Sequence, residues 1–280
     1  MIALTTQKKW LLAILLAAFG VIFIYPLLWL VSASLKPNAE VFSTISLIPS
    51  ELVWDSYARG WAGIGKNSFS TFFLNTFLLV VPVVLFTAVS STIVAYGFAR
   101  FRFPLKPILF AVMISTLMLP DAVVMIPRYI LFRNFGWLNS YLPFYVPAIL
   151  AVNAFFIFLL VQFFRGIPRD LDEAAFIDGC NSFEILYKVL LPLSKPALFS
   201  VCIFQFIWTW NEFFNALIYI NSVSKFPVAL GLRMTLDNEG AVNWNQVMAM
   251  SVVTILPCVI VFFAAQKHFV EGIATTGLKG

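Results

Sequence analysis

Apolar residues in this chain come in long unbroken blocks separated by short polar segments, rather than in the alternations that mark half-buried strands or surface helices. Six blocks, at about 11–33, 72–96, 108–130, 143–164, 197–220 and 247–266, reach or approach the ~20 residues that a membrane-spanning helix needs. They predict an all-α integral membrane protein with six transmembrane helices in a single domain over 1–280, a loop at 165–196 and a tail at 267–280. The first block follows Lys8 and Lys9 and has Val31 and Ala33 where a signal peptidase could cut. It is well over the ~7–15 residues of a signal-peptide core, so it is expected as an uncleaved span. Pro26, Pro82, Pro120, Pro127 and Pro257 fall within or at the ends of spans, where each removes a backbone donor and can kink the helix. Broken helices suit a protein that opens and closes. They are also common in membrane helices without moving parts, and both readings stay open.

Composition agrees with lipid as the main solvent. Hydrophobic residues make up 61% and charged residues 11% of the chain, against about 45–50% and about 25% in a soluble domain. Too little polar surface exists to cover a soluble core that must also hold 31 phenylalanines and 8 tryptophans. The net charge of +5 suits anionic lipid headgroups, and no basic stripe interleaved with aromatics suggests nucleic acid. With the N-terminus inside, eleven of the eighteen Lys and Arg fall on the cytoplasmic side, which places both termini in the cytoplasm. Cys180, Cys202 and Cys258 are too few and scattered for a disulfide framework, and with His268 the only histidine no metal site is expected.

The loop RGIPRDLDEAAFIDGCNSFEILYKVLLPLSKP at 165–196 is organised rather than linker-like. Pro168 suits a first helical turn, Asp170, Asp172 and Glu173 follow near the positive helix end, and Gly179 is placed to end a helix of about nine residues. Asn181 with Glu184 then forms a capping-box pattern. Phe183, Leu186, Tyr187 and Leu190 recur at helical spacing until Pro192, predicting a second helix with one apolar face. Such a two-helix lever suits docking into a groove on a soluble partner. An amphipathic hairpin lying on the lipid fits the same pattern.

The run Glu173-Ala174-Ala175, then Asp178-Gly179, then Leu191-Pro192 and Pro196, resembles the EAA loop of ABC importer permeases. Further segments are similar to the carbohydrate-type branch, in particular the smaller permease of maltose-type transporters: SLKPNAEVF at 34–42, NTF at 75–77, AYGFARFRFP at 95–104, LMLP at 117–120, WNEFFNALIYI at 210–220 and the terminal FVEGIATTGLKG. Cys180 stands where the family usually has alanine. The resemblance implies a permease subunit of an ATP-driven importer that moves a sugar or oligosaccharide across the bacterial or archaeal cytoplasmic membrane by alternating access. It implies as partners a second permease, two ATPase subunits and an extracytoplasmic sugar-binding protein, with ATP and Mg in the ATPases and no cofactor on this chain. Glu173, Ala174, Ala175, Asp178 and Gly179 would form the coupling helix, and the tail, through Glu271, Gly272, Lys279 and Gly280, would lie between the ATPase subunits. A frayed terminus is the other reading of the tail.

Asp121 and Glu212 lie within spans, where a central carboxylate costs ~2.5–3.5 kcal/mol, and no Lys or Arg is placed mid-span to pair with them. Trp208 and Glu212, four apart on one helical face, with Asn211 and Asn215 beside them, offer flat apolar faces and amides for a sugar. Asn153 is a second candidate on the pathway. The same residues serve equally as interhelical glue, and since the stretch resembles a motif shared across different substrates, glue is the simpler reading. Gly60, Gly65 and Lys66 follow phosphate-loop spacing, but Asn67 stands where a Ser or Thr must hold magnesium, so ATP is not expected here. No nucleophile elbow or HExxH motif is present, and the chain is not expected to be an enzyme. Competing expectations are glycerol phosphate or a polyol as cargo, an ion-coupled carrier using Asp121 and Glu212, and a membrane scaffold.

Overall fold

The computed structural model describes residues 6–63, 67–236 and 242–277, with side chains described from 7 and up to 265. In chain order the helices are α1 (Thr6–Ser34), α2 (Asp55–Ala62), α3 (Phe69–Arg100), α4 (Lys106–Ser115), α5 (Asp121–Asn134), α6 (Leu142–Ile149), α7 (Ala154–Gly166) and α8 (Asp170–Ile177). There follow α9 (Ser182–Leu193), α10 (Lys195–Trp210), α11 (Phe214–Tyr219), α12 (Val228–Met234) and α13 (Trp244–Gly277). The protein is all-α. Among the described residues, four helices or helix runs are long and apolar enough to cross a membrane, and the number reaches six when α4 with α5 and α9 with α10 each count as one bent span.

Two compact units emerge, Met1–Ser70 with Gly231–Leu256, and Thr71–Leu230 with Pro257–Gly280. In the first, α1 turns almost every side chain outward, Phe23 being 75% exposed; only lipid or another chain can cover so much apolar surface. After α1 the chain makes a tethered loop. Lys36, fully buried, donates from Nζ to the Ser46 carbonyl at 2.6 Å and to Thr44 Oγ1 at 3.2 Å. Ser32 Oγ donates to the Leu47 carbonyl at 2.6 Å, and the Glu40 carboxylate accepts from the Ser50 hydroxyl. The polar residues of the 34–42 motif thus close their own loop. Gly60 on α2 answers a packing need, since a Cβ there would meet the Met250 side chain at 2.9 Å; Gly65 and Lys66 lie outside the described residues.

The second unit has its core where the C-terminal half of α3 meets α7, α9 and α10: Ala95, Phe156, Leu160, Phe164, Leu190 and Val201 are all buried together. Elsewhere in the unit, the Asn75 amide donates to the Ser224 and Phe226 carbonyls at 2.8 and 3.0 Å, and Thr76 Oγ1 accepts from Val228 N at 2.7 Å. The 75–77 motif therefore anchors the chain leading into α12.

Three expected spans are interrupted. The block 108–130 turns by 104° between the α4 and α5 segments at Leu119-Pro120, because Pro120 has no N–H to continue the ladder and pushes its predecessor into extended backbone. The block 143–164 breaks over Leu150–Asn153, with Ala151 at φ +55°, and the Asn153 side chain restarts the helix by accepting from Phe155 N at 3.2 Å. The block 197–220 stops at Trp210 and resumes at Phe214.

Replacing Lys36 with methionine keeps the stem and removes every Nζ donor. We expect a loss of about 1–3 kcal/mol from carbonyls left unsatisfied, read as a lower thermal midpoint in detergent; an unchanged midpoint would show that the ammonium does not hold the loop.

Candidate functional site

The lever predicted between the fourth and fifth spans is present. α8 runs for eight residues, one fewer than expected, and Gly179 ends it at φ +85°. Open space surrounds the Gly179 Cβ position, so backbone conformation rather than room demands glycine. Asn181 caps α9 by accepting from the N–H groups of Phe183 and Glu184, both at 3.0 Å, while Glu184 Oε2 accepts from Asn181 N at 2.9 Å. Hydrogen bonds from Lys188, at 2.7 Å, and from the Asn181 backbone hold the Glu184 carboxyl below its usual range.

The single apolar face expected on α9 is corrected by the structure. Leu186–Leu190 winds as a π-helix, and Pro192 is carried inside α9 instead of ending it. The wider turn lets a proline follow without a blocked donor. The apolar residues consequently separate: Ile185, Leu186 and Leu190 are buried, whereas Phe183 and Tyr187 are 73% and 65% exposed. Phe176 and Ile177 on α8 are likewise 71% and 84% exposed. Glu173, Ala174, Asp178 and Gly179 are exposed and Ala175 is buried. The lever therefore presents four large apolar side chains beside carboxylates.

What fixes the lever is the end of α3, which sequence reasoning missed. Arg100 Nε pairs with Asp172 Oδ2 at 2.6 Å, with 7% and 18% of the two side chains exposed. Arg100 Nη2 also donates to the Ile167 carbonyl at 3.1 Å, Arg169 Nη2 to the Ala99 carbonyl at 3.3 Å, and Tyr96 Oη to the Ser182 carbonyl at 2.8 Å. Asp172 Oδ1 is buried without a hydrogen-bond partner. Burial accordingly pushes the Asp172 carboxyl up, against the opposing pull of Arg100 and Arg169. The available signal was Tyr96 and Arg100 four apart at the end of a span, on one helical face.

The intramembrane candidates are rearranged as well. Contrary to expectation, Asp121 has a cation: Arg128 Nη2 lies 3.2 Å from its Oδ1, because the bend at Pro120 makes Asp121 the first residue of α5. Glu212 does not share a helical face with Trp208, since α10 has ended; its Oε1 accepts from Asn215 N at 3.1 Å and starts α11. Asn211 donates to the Ile207 carbonyl at 2.8 Å. Trp208 packs on Phe155 and Phe156 with centroids at 5.3 and 5.1 Å. Asp121, Arg128 and Glu212 all lie within electrostatic reach of the Tyr219 hydroxyl. Tyr219 Oη, Asn215 Oδ1 and Arg128 Nε are buried without protein hydrogen-bond partners. Asn153 is spent on its cap. In the tail, Glu271 and Gly272 belong to the helical backbone of α13 with their side chains outside the described residues, and Lys279 and Gly280 lie outside them altogether.

An all-α membrane protein carrying this lever defines a transporter subunit, and the chain belongs to the family described as binding-protein-dependent transport system inner membrane component, which it matches over residues 88–275. It is 34% identical to the arabinooligosaccharides transport system permease protein AraQ of Halalkalibacterium halodurans, over 97% of each chain. It is 33% identical to the sn-glycerol-3-phosphate transport system permease protein UgpE of Yersinia pestis, over 87% of each. Among solved structures it resembles a chain of a bacterial ABC transporter involved in the import of the acidic polysaccharide alginate, with TM-score 0.84 and 26% identity over 96% of this chain and all of that one. It is thus a permease subunit of ABC importers.

Two outcomes follow from this geometry. Removing either Arg100 or Asp172 strands the other buried charge, so each alanine variant is expected to cost about 3 kcal/mol and the double variant less than the sum; additive shifts in thermal inactivation would show the pair to be uncoupled. At Gly179, alanine is expected to lower the stability of the lever turn by about 1 kcal/mol and asparagine by less, since asparagine tolerates positive φ. Hydrogen exchange across 176–184 reads the difference, and equal exchange in both variants would contradict it.

Proposed function

We propose that this chain is one half of the membrane pathway of a carbohydrate importer, coupled through α8 and α9 to an ATPase. The observation that carries the reading is the lever itself, which leaves Phe176, Ile177, Phe183 and Tyr187 exposed while the Arg100–Asp172 pair fixes it to α3. A force applied to the exposed side chains reaches a full-length span through a charged, mostly buried joint. Glu173 and Asp178 beside them offer acceptors to a partner. Two ATPases binding ATP and Mg, a second permease, and a binding protein on the outer face complete the assembly, with this chain's termini in the cytoplasm and its tail, Glu271, Gly272, Lys279 and Gly280, reaching the ATPases. The chain itself carries out no hydrolysis.

The cargo we propose is a sugar or oligosaccharide, supported by the likeness to permeases named for arabinooligosaccharides and for alginate import. Glycerol phosphate is the second reading, favoured by the comparable likeness to a permease named for that substrate. Asp121, Asn153, Trp208, Asn211, Glu212 and Asn215 then have mainly structural work: Asn153 and Glu212 accept from the first N–H groups of helices that restart, Trp208 packs on Phe155 and Phe156, and Asp121 pairs with Arg128.

The test is co-purification. Tagged wild-type chain is expected to bring down a second permease and an ATPase, whereas Phe176→Asp with Ile177→Asp inserts normally and recovers the second permease with at least tenfold less ATPase. Full ATPase recovery with the double variant would remove the lever from the coupling interface. The co-expressed binding protein, screened by thermal shift, separates sugar from glycerol phosphate.

A further inference from the structure

Where α3 and α7 end and α4 begins, the chain forms an open pocket of about 460 Å³ whose lining includes Ala99, Arg100, Lys106, Arg165, Ile167 and Arg169. Four of the lining residues, Arg100, Lys106, Arg165 and Arg169, are cations. Arg100 is committed to Asp172. Among the described residues, no carboxylate lies within ion-pair distance of Lys106, Arg165 or Arg169. Arg165 and Arg169, with Arg102 outside the lining, all act electrostatically on the Lys106 ammonium. Like charges gathered this closely repel unless an anion comes between them.

The cations are also held in place. The Arg165 guanidinium lies over the Phe110 ring at 5.0 Å from its centroid, Lys106 Nζ donates to the Phe101 carbonyl at 2.7 Å, and Arg169 donates to Ala99. Each spends one contact on position and keeps further N–H groups for a ligand. Two helix runs long and apolar enough to span, α3 and the run Leu142–Gly166, end at the pocket and α4 begins there, and the ends of spans are where lipid headgroups lie. On α4, immediately beyond Lys106, Ile108, Leu109 and Val112 are 59%, 48% and 57% exposed, an apolar flank leading from the pocket along the span. An anion with an acyl tail matches both parts.

We propose that this pocket is a binding site for the phosphate headgroup of an anionic phospholipid, held by Lys106, Arg165 and Arg169, with its acyl chains along α4. Since the site adjoins the Arg100–Asp172 joint, a bound headgroup screens the cations against which the lever is fixed. The proposal does not depend on which cargo is carried.

The experiment uses the intact assembly purified in mild detergent, incubated with phosphatidylglycerol or phosphatidylcholine and analysed for retained lipid by native mass spectrometry. Wild type is expected to retain phosphatidylglycerol over phosphatidylcholine. Lys106→Gln and Arg165→Gln should each lower that retention about fivefold, the value of one cation near a lipid surface. Lys106→Arg keeps the charge and should restore it, which separates loss of the site from loss of the fold. Lys225→Gln, remote from the pocket, should leave it unchanged. Equal retention of the two lipids by wild type, or no effect of either glutamine variant, overturns the proposal. Displacement of phosphatidylglycerol by low millimolar inorganic phosphate reassigns the site to free phosphate and overturns the lipid assignment.

Discussion

The pairing of Arg100 with Asp172 is the constraint that ties the lever of the second unit to α3. A largely buried ion pair costs desolvation on both sides and is a weak source of net stability, so its value here lies in what it connects. One partner ends a span of 32 residues and the other begins the lever. Around it, Tyr96, Arg169 and Ala99 add hydrogen bonds that cross the same junction. Loosening the joint would let α8 move without α3, and an applied displacement would dissipate in the loop.

Apolar surface plays two different parts in this molecule. On α1 it is spread around the whole helix, which is what a bilayer demands of a span. On the lever its most exposed part is four side chains, Phe176, Ile177, Phe183 and Tyr187, with the exposed carboxylates Glu173 and Asp178 close by in the chain. A lipid surface would favour a basic flank; an acidic one beside exposed aromatics suits a protein groove. The charge around the patch, more than its hydrophobicity, is what supports the proposed docking on a partner.

Interrupted spans bring polar residues together within the membrane. Pro120, the turn at Ala151 and the gap at 211–213 each free backbone groups that must find partners, and Asp121, Asn153, Glu212 and Asn215 stand at those breaks. Asn153 and Glu212 cap helices that restart, and Asp121 opens α5 while meeting Arg128. Residues that look like ligands for a polar substrate in a linear reading are, in three dimensions, first of all the repair of broken helices.

The sequence by itself determined the solvent, the helical class and the lever, because hydrophobic block length, capping pattern and the need for glycine at positive φ are local properties written in consecutive residues. Asn181, Glu184 and Gly179 were legible for that reason. Tertiary structure alone decided which residues of α9 are buried, that Arg100 at the end of α3 is the partner that holds Asp172 of the loop, and that Arg128 reaches Asp121. Each of those depends on a bend, a π-turn or a contact between segments far apart in the chain, and the energy of such a contact is defined only once the backbone has brought its two ends together.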